Sequence, residues 1–181
     1  LIWDNALRSM NMADLVKNLQ LTYVLPTQAV AREPKPQKVA LIAHLYYMDL
    51  LEPTLAYARS MPEGTDFILT VGSQEKVELV EEACKDLPYN VTVRLIENRG
   101  RDVSALLVGC KDVVSDYDLV CFIHDKKVTQ LSPYTVGEGF ARKCFDNLLP
   151  TREFVENVIS TFDSEPRLGL LSPTPPNHAD Y

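Results

Sequence analysis

An apolar run, Leu119-Val120-Cys121-Phe122-Ile123, gives way at once to His124-Asp125-Lys126-Lys127. An imidazole, a carboxylate and two ammonium groups at one point can shuttle a proton and meet negative charge. Some twenty residues earlier, Glu97-Asn98-Arg99-Gly100-Arg101-Asp102 forms a second charged cluster around a single glycine. Arginine offers bidentate donors and lysine a compact charge, so Arg99, Arg101, Lys126 and Lys127 together suit a phosphate or diphosphate. A helix opening at Asp102 adds main-chain N–H groups and the positive end of its dipole.

The flanking pattern says how these residues are held. Short apolar runs alternate with amphipathic stretches: strands over Val39–Ala43, Asp66–Val71, Val91–Ile96 and Tyr117–Ile123, with helices between them. The first intervening helix runs from about Met48 to Ser60. The second has Ser73 as N-cap and carries Val77, Val80, Cys84 and Leu87. The third places Val103, Leu106, Leu107, Cys110, Val113 and Val114 on one face. VALIA and LVCFI are apolar on both sides, as a parallel strand covered by helices requires. This alternation predicts an α/β fold, an open, mainly parallel sheet with helices on both faces. Two more helices are expected, over Glu138–Leu148 and Arg152–Thr161, the latter capped by Thr151 with Phe154, Val155, Val158 and Phe162 inward. A last short strand follows over Leu168–Leu171.

Residues 1–36 read as a helical appendage, with Met10, Met12, Leu15, Val16 and Leu19 on one side, followed by a Pro34/Pro36 linker. Residues 37–181 form the α/β domain. Its proline-rich end has no closing element, which fits either a domain cut short or a tail ordered only by something absent.

Ligands of open α/β sheets sit at the carboxyl ends of the strands. That rule brings His44, Tyr46 and Tyr47 to one edge with Asn98–Asp102 and His124–Lys127. Plainer explanations stand beside each: Asp102 as a helix N-cap, Gly100 as a tight turn, and Arg99 and Arg101 as a solvated loop paired with Glu97. His44 would then be a structural histidine and Tyr46 and Tyr47 packing residues. His124, followed at once by three charged residues, is the hardest to explain away.

The totals exclude other classes. A net charge of −7 over 181 residues argues against non-specific nucleic-acid binding. The four cysteines form no CxxC pair and read as buried thiols in a reducing, cytoplasmic compartment. No apolar run approaches the roughly 20 residues of a membrane span. Three histidines make a multi-histidine metal site improbable. No GxxxxGK[ST], GxGxxG, GxSxG or HExxH motif occurs.

From the first strand onward the order of features resembles glycosyltransferases of the GT-A type, whose Rossmann-like half binds a nucleotide sugar. Asn98-Arg99-Gly100 stands where that group has an Asn-x-Gly loop. His124-Asp125-Lys126 stands where it has a metal-holding Asp-x-Asp. ENRGRD and YDLVCFIHDKK, with KVALIAHLYY and LTYVLP before them, are more closely similar to the rhamnan synthesis protein F family. The resemblance implies an enzyme transferring a sugar, rhamnose first among candidates, to bacterial cell-surface polysaccharide such as O-antigen. It implies His124, Asp125 and Lys126 as catalytic and His44, Tyr46, Asn98, Arg99, Gly100, Arg101, Asp102 and Lys127 as nucleotide-sugar-binding residues. The donor would be a nucleoside-diphosphate sugar, dTDP-rhamnose favoured. The acceptor would be a polysaccharide or lipid-linked glycan, at the inner face of the plasma membrane. His124 and Lys126 in place of the flanking acids remove hard oxygen ligands, so no cofactor is expected; Mg2+ or Mn2+ is the alternative. Asp125 and Glu138 are the carboxylates available as base. The competing expectation is a non-catalytic α/β module that binds glycan or scaffolds an assembly system.

Overall fold

The computed structural model describes residues 8, 9, 11, 23–97, 99–127 and 134–173, with the side chains of the helix that begins at 134 described from 139 onward. The helix expected over residues 1–20 lies almost wholly outside these residues, as do Asn98, the Glu138 side chain and the tail from 174.

Four strands of six residues form one sheet: β1 (Val39–His44), β2 (Asp66–Val71), β3 (Asn90–Leu95) and β4 (Leu119–His124). All neighbours pair in parallel, in the order β3-β2-β1-β4. The α/β expectation therefore holds: open, parallel and wrapped by helices. Around the sheet stand the α-helices α1 (Leu51–Ala58), α2 (Gln74–Cys84), α3 (Arg101–Leu107), α4 (Tyr134–Asp146) and α5 (Arg152–Ser164), with short 3-10 helices at Met48–Leu50 and Val114–Asp116.

The two sheet faces carry different cores. Leu41, Ala43, Phe67, Leu69 and Val71 point to one face and pack with Leu55, Val80, Leu149, Val155 and Ile159 of the surrounding helices. Ala40, Ile42 and Ile68 point to the other and meet Cys110, Leu106, Val113 and Val114. Beyond that, the chain steps in one direction through β1, β2 and β3 and back in the other to reach β4. Right-handed crossovers therefore demand helices on opposite faces, as found. The direction reverses between β1 and β4.

Three expectations are corrected. The helix after β3 ends at Leu107, where the Ser104 carbonyl accepts from both Val108 N (3.0 Å) and Gly109 N (2.9 Å). A Cβ at Gly109 would lie 2.8 Å from the Ala105 carbonyl oxygen and 2.9 Å from Ile96 Cγ2, so the chain passes too close there for any side chain. The inward face fails accordingly: Val103 and Leu107 are 57% and 64% exposed. Second, α5 buries Val155, Asn157, Ile159, Ser160 and Thr161, while Phe154, Val158 and Phe162 are only half-buried. Thr151 does cap it, accepting from Phe154 N at 3.2 Å. Third, Leu168–Leu171 forms no strand, and Leu170 is 80% exposed. Because α4 and α5 cover the same face as α1 and α2, a parallel strand placed beyond β4 would need a left-handed crossover.

Residues 26–37 are tied to α5. Asn157, 3% exposed, donates from Nδ2 to the carbonyls of Pro26 and Ala29 (both 3.0 Å) and accepts from Ala31 N at 2.7 Å. Asp163 accepts from Lys35 N (2.7 Å) and from the Gln37 amide, and Thr151 Oγ1 donates to the Thr27 carbonyl (2.6 Å).

All four cysteines are free thiols, and burial pushes each one up, Cys84 to about 11 and Cys121 to about 12. Since the thiolate is the nucleophile, a disulfide reagent at pH 8 should react with the native protein far more slowly than with the urea-unfolded chain.

Candidate functional site

The point where strand order reverses is where an open α/β sheet has a crevice. Here it lies between the carboxyl ends of β1 and β4, where His44 and His124 are register partners. Both end their strands, so the two imidazoles sit side by side at the mouth.

His124 is oriented by the chain that follows it. Its Nδ1 lies 2.9 Å from the Asp125 carbonyl, an acceptor only, so Nδ1 carries the proton. Nε2 then faces Asp102 Oδ2 in the first turn of α3, 3.6 Å away. That distance exceeds a hydrogen bond, so Nε2 is open to a ligand, and it donates to a ligand oxygen when the ring is the imidazolium, with both nitrogens protonated. Asp102 is not the N-cap: Gly100 holds that position with φ 88°, and Arg101 follows at φ 57°. A Cβ on Gly100 would come 2.8 Å from Ser104 Cβ, so glycine is required by both its φ and its neighbour. The left-handed Arg101 is a costly conformation for a long side chain.

His44 is buried at 5% exposure, with Nδ1 2.9 Å from Thr70 Oγ1. Thr70 donates its own hydroxyl to the Ala43 carbonyl (3.3 Å), which makes it the acceptor from Nδ1 and leaves Nε2 of His44 with its lone pair. Burial holds His44 below the ordinary imidazole value, opposed by the Asp125 and Asp102 carboxylates and reinforced by His124 and Lys76. Below about pH 6.5 the unfolded chain takes a proton that folded His44 refuses, so stability falls as pH drops toward the depressed value. Thermal melts from pH 7.5 to 5.5 should therefore show a smaller loss of Tm in His44→Gln than in the parent.

Asp125, 6% exposed, anchors the loop after β1: its Oδ2 accepts from Tyr46 N (2.8 Å) and Tyr47 N (2.5 Å). Burial nevertheless raises the carboxyl above its ordinary value, against the pull of those N–H groups and the two histidines. Two lysines hold the same loop. Lys127 pairs with Asp49 and lies 5.1 Å from the Tyr47 ring centroid. Lys76, in the first turn of α2, donates to the Tyr46 carbonyl at 2.6 Å with its ammonium 4.6 Å from the Tyr46 ring centroid. Tyr46 and Tyr47 meet edge to face at 4.8 Å, and Tyr46 is 42% exposed.

The crevice thus brings together His44, Tyr46, Asp102, His124 and Asp125, with Lys127 beside Tyr47. Arg99 and Arg101 stand exposed on the loop before α3. Lys126 turns toward α4, its ammonium 4.3 Å from the Phe140 ring centroid. Lys76, Thr70 and Asp49 went unnoticed in the sequence. Lys76 sits among the solvated charges of an amphipathic helix, and its only sequence signal was its place just after the β2 end.

Among the described residues no group of three or more His, Cys, Asp or Glu is arranged to hold a metal ion, and Asp125 Oδ2 already accepts two hydrogen bonds. Among the same residues no helix is long and apolar enough to cross a membrane.

Comparison with curated proteins and with solved structures gave no match for this chain. A family model described as Rhamnan synthesis protein F matches residues 1–181. With the HDKK and NRGRD segments at one crevice of a parallel sheet and the whole chain matched, the protein belongs to the rhamnan synthesis protein F family, whose role is in polysaccharide biosynthesis.

Proposed function

We propose that the β1/β4 crevice binds the diphosphate of a nucleotide sugar, dTDP-rhamnose favoured, and transfers the sugar to a growing cell-surface polysaccharide or lipid-linked glycan. The observation that carries this reading is His124, whose Nδ1 is fixed by the Asp125 carbonyl while Nε2 faces the crevice. In the transfer, the bond from the sugar anomeric carbon to the diphosphate oxygen breaks with its electron pair staying on that oxygen. The acceptor oxygen bonds to the anomeric carbon and gives up its proton. Charge growing on the diphosphate is met by His124 as the imidazolium, by Arg99, Arg101 and Lys127, and by Lys126 once it leaves Phe140. Asp125, made more basic by burial, is the carboxylate at hand for the acceptor proton. Tyr46 offers a ring face at the rim. The site works at the inner face of the plasma membrane, where a lipid-linked acceptor is presented.

Calorimetric titration with dTDP-rhamnose, UDP- and GDP-sugars tests this directly: one nucleotide should saturate, and none saturating would reject it. Because cations stand where the GT-A-type glycosyltransferases place metal-binding acids, transfer should proceed unchanged in EDTA. Activity lost to EDTA and restored by Mg2+ or Mn2+ would overturn that part.

A second reading, a non-catalytic module that binds glycan or scaffolds an assembly, draws on the use of Asp125 and Lys127 as ties for the Tyr46–Asp49 loop. Asp125→Asn separates the two, since it keeps an acceptor for both N–H groups but no basicity. If Asp125 takes the proton, transfer falls at least roughly 100-fold with donor binding little changed. Transfer as in the parent would favour a structural role alone.

A further inference from the structure

A groove of about 490 Å3 lies at the other end of the sheet, within the roughly 300–1,000 Å3 of small-molecule sites. It runs between residues 30–37 of the 26–37 strap and the turn at 62–65, beside Val39, the first residue of β1, and Thr65, just before β2. Six-residue strands place it about 20 Å from the crevice.

Its chemistry is unlike that of the crevice. Val30, Val39 and Ile159 supply an apolar floor, and Glu33, Glu63 and Glu156 supply carboxylates. Glu63 is offset by Arg152 at 3.0 Å. Gln37 also lines the groove, and its Oε1 is buried with no hydrogen-bond partner, singular in this respect among the described side chains. The amide cannot be turned to relieve this, because its Nε2 donates to Asp163 and a flip would set carbonyl against carboxylate. A buried acceptor lacking a donor calls for an explanation, and a donor brought by a ligand is one.

Three carboxylates outnumber the one ammonium of the lining, Lys35, around an apolar floor, which disfavours phosphate and suits a ligand rich in hydroxyl donors with an apolar face. A 6-deoxyhexose answers that description: hydroxyls for Gln37 Oε1 and the carboxylates, ring C–H groups and a methyl for the floor. We infer that the strap groove is a second, glycan-binding site that holds a deoxyhexose unit of the polymer away from the transfer crevice. The inference rests on the role of the family in rhamnan synthesis and is independent of nucleotide binding at the crevice. The strap bonds to Asn157 and Asp163 keep the groove open in the absence of ligand, so little ordering is needed on binding.

The test is a titration of 15N-labelled full chain with methyl α-L-rhamnoside and with a rhamnose trisaccharide. Saturable shifts should appear at the amides of Val30, Gln37, Gly64 and Glu156, and the trisaccharide should bind roughly tenfold tighter than the monosaccharide. Val30→Trp, which fills the groove, and Glu156→Ala, which removes one acceptor, should each weaken binding at least tenfold. Unchanged amide shifts at the crevice would show both variants folded. His124→Ala and saturating dTDP should change nothing at the groove. Absence of shifts there, shifts at the crevice alone, or binding unaffected in both groove variants would overturn the inference, and water would then be the partner of Gln37. Loss of nucleotide binding with groove binding intact would reject the donor site and leave this one standing.

Discussion

His124→Ala is expected to lower affinity for the saturating nucleoside diphosphate by roughly 10- to 100-fold, the worth of one hydrogen bond to a charged group. The fold should survive. His124 ends an edge strand, its side chain is 37% exposed, and its hydrogen bond is to the carbonyl of the next residue. The effect would fall on a directed atom, because Nδ1 is already committed and Nε2 alone faces Asp102 and the crevice. His124→Gln is the informative companion. It places an amide N–H close to the position of Nε2 and should recover part of the binding without restoring the pairing with Asp102. Isothermal titration of the three proteins, with thermal melts as the control for folding, checks this. Equal affinities would remove His124 from the site.

Asn157→Leu should cost about 2–4 kcal/mol of stability, the largest loss we expect from a single polar side chain outside the crevice. Asn157 meets two carbonyls and one N–H of the strap at once, and the leucine would remove the partner of all three where these bonds are part-buried. Asn157→Asp should be worse, since a carboxylate would face the Pro26 and Ala29 carbonyls in place of the amide N–H groups. Urea unfolding of both variants reads the difference as a shift in midpoint. A loss below about 0.5 kcal/mol in both would mean the strap is held by something else.

How far the sequence could be read depended on where the forces act. The four strands were legible because runs such as VALIA are too apolar to stand anywhere but between covered faces. The crevice was legible because His124–Lys127 and His44 fall at strand ends, and parallel topology sends those ends to one edge. Three features lay beyond reach for separate reasons. Helical spacing continued from Val103 to Val114, but the helix stops where Gly109 must pass against Ile96, a contact between distant elements. The strand pattern at Leu168–Leu171 is local, whereas crossover handedness depends on which face α4 and α5 cover. Asn157 looked like one polar residue of an amphipathic helix, and nothing nearby in sequence reveals that its partners lie more than 120 residues earlier. The basic cluster was legible as charge but not as geometry: Lys126 lies over Phe140 and Lys127 is paired with Asp49, while Lys76, from another element, stands at the loop.

The edge position of β4 shows in the same way. Leu119 to Phe122 are half-buried although the segment is apolar enough for a central strand. Arg94 secures the opposite edge, donating to Asp112 at 2.7 and 2.8 Å and to the Gly109 carbonyl at 2.7 Å, and this holds the Asp112 carboxyl down to about 2. The clamp ties the segment that leads from α3 to β4 onto β3.

A diphosphate received by the β1/β4 crevice would be visible at atomic detail. A crystal structure of the protein with dTDP tests for it most directly. Diphosphate oxygens should lie within hydrogen-bond distance of His124 Nε2, with an Arg99 or Arg101 guanidinium drawn in from the loop. Nucleotide bound elsewhere on the chain, or in the crevice with its phosphates turned away from His124, would contradict that placement.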